Sequence, residues 1–124
     1  EIMPSLVGSE MCIRDSGCFE YEAAHGTVVD HYQRHLKGEK VSTNPLATIA
    51  AWAGALKKRG ELDGNAELVS FAEKLGRAGI EVFEEGYLSE DLAALCDPTE
   101  FREMPDNERL MGLIREKLTE MMQG

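Results

Sequence analysis

The spacing of apolar residues divides the first half of the chain into a strand and a helix. In FEYEAA, residues 19–24, apolar and mostly polar side chains alternate, and this period of two predicts one short, half-buried strand. From residue 27 to residue 37 the apolar positions Val28, Tyr32 and Leu36 fall four apart, which places them on one face of a helix. Gly38 then predicts the end of that helix.

Helical spacing of apolar residues continues through the rest of the chain. Asn44 before Pro45 predicts a helix start, and this helix should run to about residue 58 and end at Gly60. The DGN turn at residues 63–65 precedes a longer helix to about residue 85, with Gly86 as its stop. Ser89 predicts the cap of a short helix through residue 95. Pro-Asp at residues 105–106 opens a last helix, whose stripe of Leu, Ile and Met indicates packing.

Composition narrows the class of protein without naming it. With 124 residues, 43% of them hydrophobic, the chain fits one domain or a piece of a larger one. A net charge of -10 argues against nucleic acid or an anionic membrane as a partner, and no apolar run is long enough to span a bilayer. Three cysteines without metal-site spacing indicate reduced thiols and a cytoplasmic location.

The polar turn HGTV, residues 25–28, is the first candidate for chemistry, because it lies where the predicted strand meets the predicted helix. Gly26 would let the diphosphate or ribose of a ligand approach the backbone, and Thr27 offers a hydroxyl beside the free amides of a helix start. From the residues alone, His25 is more often a structural histidine than a ligand contact. A GxGxxG fingerprint is absent, which excludes a Rossmann site.

Four motifs together resemble the isocitrate and isopropylmalate dehydrogenase family, most closely its NADP-type isocitrate dehydrogenases. They are EAAHGTV at residues 22–28, LKGE at 36–39, STNP at 42–45 and EEGYLSEDLA at 84–93. The resemblance implies an α/β parent fold like that of isopropylmalate dehydrogenase. Residues 17–124 would be the C-terminal part of its large, cofactor-binding domain, and this piece would be mainly α-helical with one short strand.

The resemblance also implies a set of residues on the adenosine side of a nicotinamide cofactor: His25, Gly26, Thr27, Val28, Asp30, His31 and Asn44. Asp30 and His31 would face the ribose 2′ substituent. A basic residue stands at the position of Asp30 in NADP-type relatives, so the carboxylate predicts a preference for NAD. His31 opposes this preference for NAD, since histidine ordinarily gains a proton below about pH 6.5 and can then face a phosphate. A second interpretation is that Asp30 faces solvent and pairs with Arg34, four residues later on the same helix.

The activity implied by the resemblance is oxidation of isocitrate to 2-oxoglutarate in the tricarboxylic acid cycle, with NAD or NADP and a magnesium or manganese ion, by a homodimer. The family's catalytic and metal-binding residues lie N-terminal to this segment. We therefore assign none here, and we expect the chain alone to be inactive. Two alternatives remain open: a dehydrogenase acting on isopropylmalate or a related 2-hydroxy acid, which the KGE insertion disfavours, and a non-catalytic helical interaction module.

Residues 1–16 show no period of a strand or a helix. Within them, LVGSEMCIRDS at residues 6–16 resembles the translation of a transposon-end adapter used to prepare sequencing libraries. We therefore expect this segment to be foreign to the native protein, to make no native core contacts, and to replace an upstream part of a truncated gene.

Overall fold

Two short strands and five helices account for the regular structure in the described part of the chain. The computed structural model describes residues 9–13, 17–24 and 28–124, the first of these ranges by its backbone. The elements, in chain order, are β1 (Ser9–Ile13), β2 (Cys18–Glu22), α1 (Val29–Leu36), α2 (Leu46–Asp63), α3 (Ala66–Glu84), α4 (Glu90–Ala93) and α5 (Asn107–Gln123). They form two units: Glu1–His25 with Pro45–Arg77, and Gly26–Asn44 with Ala78–Gly124.

The first unit opens with an antiparallel ribbon of β1 and β2, in which Ser9 pairs with Glu22 and Ile13 with Cys18. Exposed and half-buried residues alternate along β2, which confirms the strand predicted from the period of two. β1 lies in the segment that has no such period. Backbone groups form the ladder hydrogen bonds of a ribbon, so a strand can pair without alternation in its side chains. The foreign origin of residues 1–16 stays a prediction.

β2 packs on α2 through two aromatic side chains. A Cβ built on Gly54 would lie 2.9 Å from two ring carbons of Tyr21, so the glycine lets the ring rest on the helix backbone. Lys58 Nζ lies 4.2 Å from the centre of the Phe19 ring, a cation–π contact. The alternation of β2 thus places both aromatic rings on one face, against one helix.

Glycine decides where α2 ends and how closely α3 approaches it. The prediction that α2 ends at Gly60 is wrong, because the helix continues to Asp63 and ends at Gly64, which has a left-handed φ of 65°. Gly60 is buried, and a Cβ there would lie 2.8 Å from Val69 Cγ2. The turn at residues 63–65 is confirmed, and Asn65 Oδ1 accepts a hydrogen bond of 3.0 Å from Leu68 N.

The core of the second unit forms around the end of α3 and around α5. Its buried apolar residues are Ala78, Val82, Phe83, Ala93, Leu110 and Ile114. The burial of Leu110 and Ile114 confirms that the predicted stripe on the last helix is a packing face. Gly86 ends α3 as predicted, with φ 92°, and a Cβ there would lie 2.9 Å from Arg102 N. The chain from Gly86 therefore packs tightly on the segment before α5.

Two helix starts in this unit lie where they were predicted, but only one has a side-chain cap. Asp106 precedes α5, and its side chain accepts a hydrogen bond from Arg109 N at 3.0 Å. Ser89 precedes α4 without a capping hydrogen bond from its side chain, and α4 is shorter than predicted. No helix in the described ranges is long and apolar enough to cross a membrane.

Candidate functional site

The candidate site is a cavity of about 590 Å³ in the second unit, a volume typical of small-molecule sites. Three segments line it: one face of α1 with the residue before it, the loop at residues 37–44, and the start of α5. The lining residues are Val28, His31, Tyr32, His35, Gly38, Glu39, Lys40, Val41, Thr43, Asp106, Asn107 and Glu108.

Helix α1 supplies the apolar part of this lining. The predicted helical face exists, since Tyr32 N donates to Val28 O at 2.9 Å and so closes the first turn. No residue of α1 is buried, and Tyr32 is 61% exposed. The face therefore does not pack into the core, and Val28 and Tyr32 instead present an apolar surface to the cavity. Such a surface suits a flat, aromatic ligand group.

The structure describes four of the residues that the resemblance assigns to the cofactor: Val28, Asp30, His31 and Asn44. It brings Val28 and His31 together in the lining of the cavity. Asp30 lies exposed in the first turn of α1, beside the lining, and Asn44 is buried at the end of the loop. The other three, His25, Gly26 and Thr27, lie outside the described residues.

Arg34 is engaged by two carboxylates other than Asp30. Its Nε lies 2.8 Å from Glu39 Oε2, and its Nη1 lies 2.9 Å from Glu90 Oε1. The hydrogen bonds that the Arg34 guanidinium donates to Glu39 and Glu90 raise its pKa. The second interpretation is therefore wrong in pairing Asp30 with Arg34, although Asp30 is exposed to solvent as it stated. Within the described residues Asp30 has no ion-pair partner. The exposed Asp30 carboxylate, next in the chain to the lining residue His31, thus has no paired cation in the part of the chain that the structure describes.

The lining of the cavity is acidic. It carries the carboxylates of Glu39, Asp106 and Glu108, against one ammonium group, Lys40. Lys40 Nζ lies 3.8 Å from Asp106 Oδ2, and Glu39 is paired with Arg34, so Glu108 is the lining carboxylate without an ion-pair partner among the described residues. Such a lining favours neutral ligand groups that donate hydrogen bonds, such as ribose hydroxyls, over additional negative charge. Across the described residues, no group of three His, Cys, Asp or Glu side chains is placed to hold a metal ion.

Sequence reasoning missed most of the residues that line the cavity. His35 could have been found, because it lies one helical turn after His31 and so on the same face. The sequence around Asp106 and Asn107 predicted the start of a helix, but nothing in it predicted that these residues lie close to the loop. Asn107 Oδ1 nevertheless accepts a hydrogen bond of 2.9 Å from Thr43 N, 64 residues earlier in the chain.

Comparison with known protein families assigns the chain to one of them. The family model described as isocitrate/isopropylmalate dehydrogenase matches residues 2–107. The chain belongs to the isocitrate/isopropylmalate dehydrogenase family. This membership confirms the resemblance inferred from the four motifs, which lie within the matched range.

Several curated members of the isocitrate/isopropylmalate dehydrogenase family are similar to the chain. The mitochondrial isocitrate dehydrogenase (NADP) of Aspergillus niger is 42% identical over 114 residues, which are 91% of this chain and 23% of that protein. The human mitochondrial isocitrate dehydrogenase (NADP) is 47% identical over 88 residues, 71% of this chain and 20% of that protein. Isocitrate dehydrogenase (NADP) 1 of Mycobacterium bovis is 44% identical over 93 residues, 75% of this chain and 23% of that protein. The chain thus spans less than a quarter of the length of these relatives.

Proposed function

We propose that this chain forms the adenosine-side wall of the nicotinamide nucleotide site in an isocitrate dehydrogenase. Its main support is the cavity beside α1, which has the volume of a small-molecule site and includes two of the residues that the motifs assign to the cofactor, Val28 and His31. The relatives' names favour isocitrate over isopropylmalate as the substrate of the whole enzyme.

The residues of the wall divide the recognition of adenosine between them. Val28 and Tyr32 cover the adenine ring with apolar and aromatic surface, and Asn44 hydrogen-bonds its edge. His31 and Asp30 face the ribose 2′ position. Following the motif, His25 contacts the adenine and its ribose, whereas Gly26 and Thr27 lie along the diphosphate and ribose.

The chemistry of the whole enzyme lies beyond this wall. A nicotinamide cofactor held by this wall would supply the hydride acceptor for oxidation of isocitrate, which the whole enzyme would decarboxylate to 2-oxoglutarate. This chain binds and orients the far end of the cofactor, and so holds its reactive end in place. The magnesium or manganese ion, the homodimer and the cytoplasmic location stay predictions from the sequence.

We further propose that the cofactor is NAD rather than the NADP of the relatives' names. Asp30 is exposed beside the cavity with no ion-pair partner among the described residues. Its carboxylate repels a 2′-phosphate and accepts a hydrogen bond from a free 2′-hydroxyl. At contact in bulk water one pair of like charges costs about 1 kcal/mol, so a doubly charged phosphate costs about 1–2 kcal/mol, or roughly tenfold in affinity.

The test measures binding of two nucleotides to the isotope-labelled chain by NMR titration. We expect AMP to bind about tenfold more tightly than adenosine 2′,5′-bisphosphate, with the largest shift changes at Val28, His31 and Tyr32. Asp30→Arg should reverse the preference. Glu116→Arg is the matched control, because it changes the net charge equally at an exposed position of α5 outside the cavity lining.

Two outcomes would count against these proposals separately. If neither nucleotide shifts the cavity residues at millimolar concentration, the wall does not bind adenosine. If the bisphosphate binds more tightly than AMP, or if Asp30→Arg leaves the ratio of affinities unchanged, the preference for NAD is wrong. A full-length gene carrying this segment would extend the test to kcat/KM for both cofactors.

A further inference from the structure

The first turn of α4 makes three contacts with α1 and the loop at residues 37–44, the two segments that carry most of the candidate site. The Glu90 carboxylate pairs with Arg34 of α1 at 2.9 Å. Glu90 N donates a hydrogen bond of 2.9 Å to Ser42 Oγ. Asp91 Oδ2 accepts a hydrogen bond from Asn44 N at 3.3 Å. Two adjacent residues thus contact α1 and both buried polar residues of the loop at residues 37–44.

Because these contacts are buried or partly buried, each contributes more to holding the loop and α1 than an exposed contact would. Ser42 is 3% exposed and Asn44 is 5% exposed, so their polar atoms need partners within the protein. The ion pair of Arg34 and Glu90 is partly buried, with side chains 31% and 32% exposed, and is screened less than a pair in open solvent. Removing the Asp91 acceptor takes away a hydrogen bond made by a buried residue, which costs more than the loss of an exposed hydrogen bond.

Neither Glu90 nor Asp91 lines the candidate cavity. They lie instead behind it, in the motif EEGYLSEDLA at residues 84–93, which has no role in the cofactor wall described above. Arg34 follows His31 by one turn of α1, and Asn44 is the residue assigned to the adenine edge. The two carboxylates therefore reach the two parts of the wall that set the ribose and the adenine contacts.

We propose that Glu90 and Asp91 are positioning residues for the nucleotide wall. Glu90 fixes α1 through Arg34 and the middle of the loop through Ser42, whereas Asp91 fixes the backbone at Asn44. Neither residue touches the nucleotide. This inference rests on the function proposed above, because it names the residues that set the geometry of the same site.

The experiment compares Asp91→Asn with Asp91→Ala in the 124-residue chain. Both variants remove the negative charge from the first turn of α4, but only Asp91→Asn keeps an oxygen that can accept the hydrogen bond from Asn44 N. Glu90→Gln tests the pair with Arg34. Glu85→Gln is the control, because it breaks an exposed ion pair with Lys117 in the same unit, away from the loop.

Two quantities are measured for each variant: hydrogen exchange at the Asn44 amide, and affinity for AMP. For Asp91→Ala we expect about tenfold faster exchange and about three- to tenfold weaker binding, and for Asp91→Asn both should stay within about twofold of the wild type. Glu90→Gln should weaken AMP binding about threefold, and Glu85→Gln should leave it unchanged. The ratio of affinities for AMP and adenosine 2′,5′-bisphosphate should stay constant in all four variants.

This constant ratio separates positioning from direct contact, since Asp30→Arg is expected to change it. Unchanged Asn44 exchange in Asp91→Ala would overturn the inference, as would equal AMP affinity of the Ala and Asn variants. A melting temperature that falls in proportion to the affinity would show a merely structural role. If the wild-type chain binds no AMP, the proposed function fails, and the Asn44 exchange alone decides the role of Asp91.

Discussion

Replacing Gly60 by alanine should destabilise the chain, although alanine is the better helix former. Gly60 lies inside α2, three residues before its end, where α3 passes over it. A Cβ at this position would lie 2.8 Å from Val69 Cγ2 and 3.0 Å from both Asn65 O and Val69 N. Two of these three neighbours are backbone atoms, which cannot rotate away. The third is a methyl group of a β-branched side chain with few allowed rotamers.

Two opposing effects set the magnitude. Alanine is favoured over glycine in a helix interior by about 1 kcal/mol. An extra methyl group forced into a packed contact costs about 1–3 kcal/mol. We therefore expect a net loss of about 1 kcal/mol in the free energy of unfolding, which for a chain of this size lowers the melting temperature by roughly 4 °C.

Gly112→Ala is the matched control, because Gly112 also lies inside a helix, α5, and no atom lies within 4 Å of a Cβ there. It keeps the gain in helix propensity without the clash, so it should stabilise the chain by up to about 1 kcal/mol. Urea denaturation followed by circular dichroism measures both variants. If the Gly60→Ala variant is as stable as the Gly112→Ala variant, the steric argument is refuted. A second substitution, Val69→Ala, should recover part of the loss.

Two smaller predictions concern the start of α5. Asp106→Ala should cost about 1 kcal/mol of unfolding free energy, because it removes the side-chain acceptor for Arg109 N, whereas Asp106→Asn should cost much less; equal urea midpoints for the two variants would contradict this. The hydrogen bond from Arg109 holds the pKa of Glu103 below its usual value. The pair therefore stabilises the fold above about pH 4.3 and loses its effect as the pH falls through the lowered pKa. An NMR titration should place the Glu103 midpoint below that value and return it toward normal in Arg109→Gln.

Local signals in the sequence predicted most helix ends correctly, and Gly60 shows where such signals fail. The DGN turn, Gly86 and Asp106 act through their own backbone or side chain, so a short stretch of sequence is sufficient to assign them. A glycine inside a helix and a glycine that ends one look alike in sequence. The difference at Gly60 is the approach of Val69, which is a tertiary contact. Sequence reasoning therefore ended α2 too early.

Only the part of the candidate site at α1 was predictable from the sequence. Val28 and His31 line the cavity because they lie on one side of α1, and the helical period places them there. Asn107 Oδ1 accepts a hydrogen bond from Thr43 N of the loop, and Arg34 pairs with Glu90 and not with Asp30. No periodicity encodes contacts between residues so far apart in the chain. The sequence therefore indicated two residues of the cavity lining but none of the long-range contacts around it.

The charges around the cavity restrict which part of a dinucleotide can lie against it. Glu39, Asp106 and Glu108 line it, Asp30 stands beside it, and the single lysine of the lining faces Asp106. A diphosphate here would be repelled by Glu108 and Asp30, which have no ion-pair partner among the described residues, whereas Glu39 is paired with Arg34. Adenine and ribose are neutral and offer donors that carboxylates accept. These charges support the proposal that the adenosine end of the cofactor, and not its diphosphate, lies against the cavity. A 2′-phosphate would bring negative charge next to the Asp30 carboxylate, and the same repulsion supports the preference for NAD proposed above.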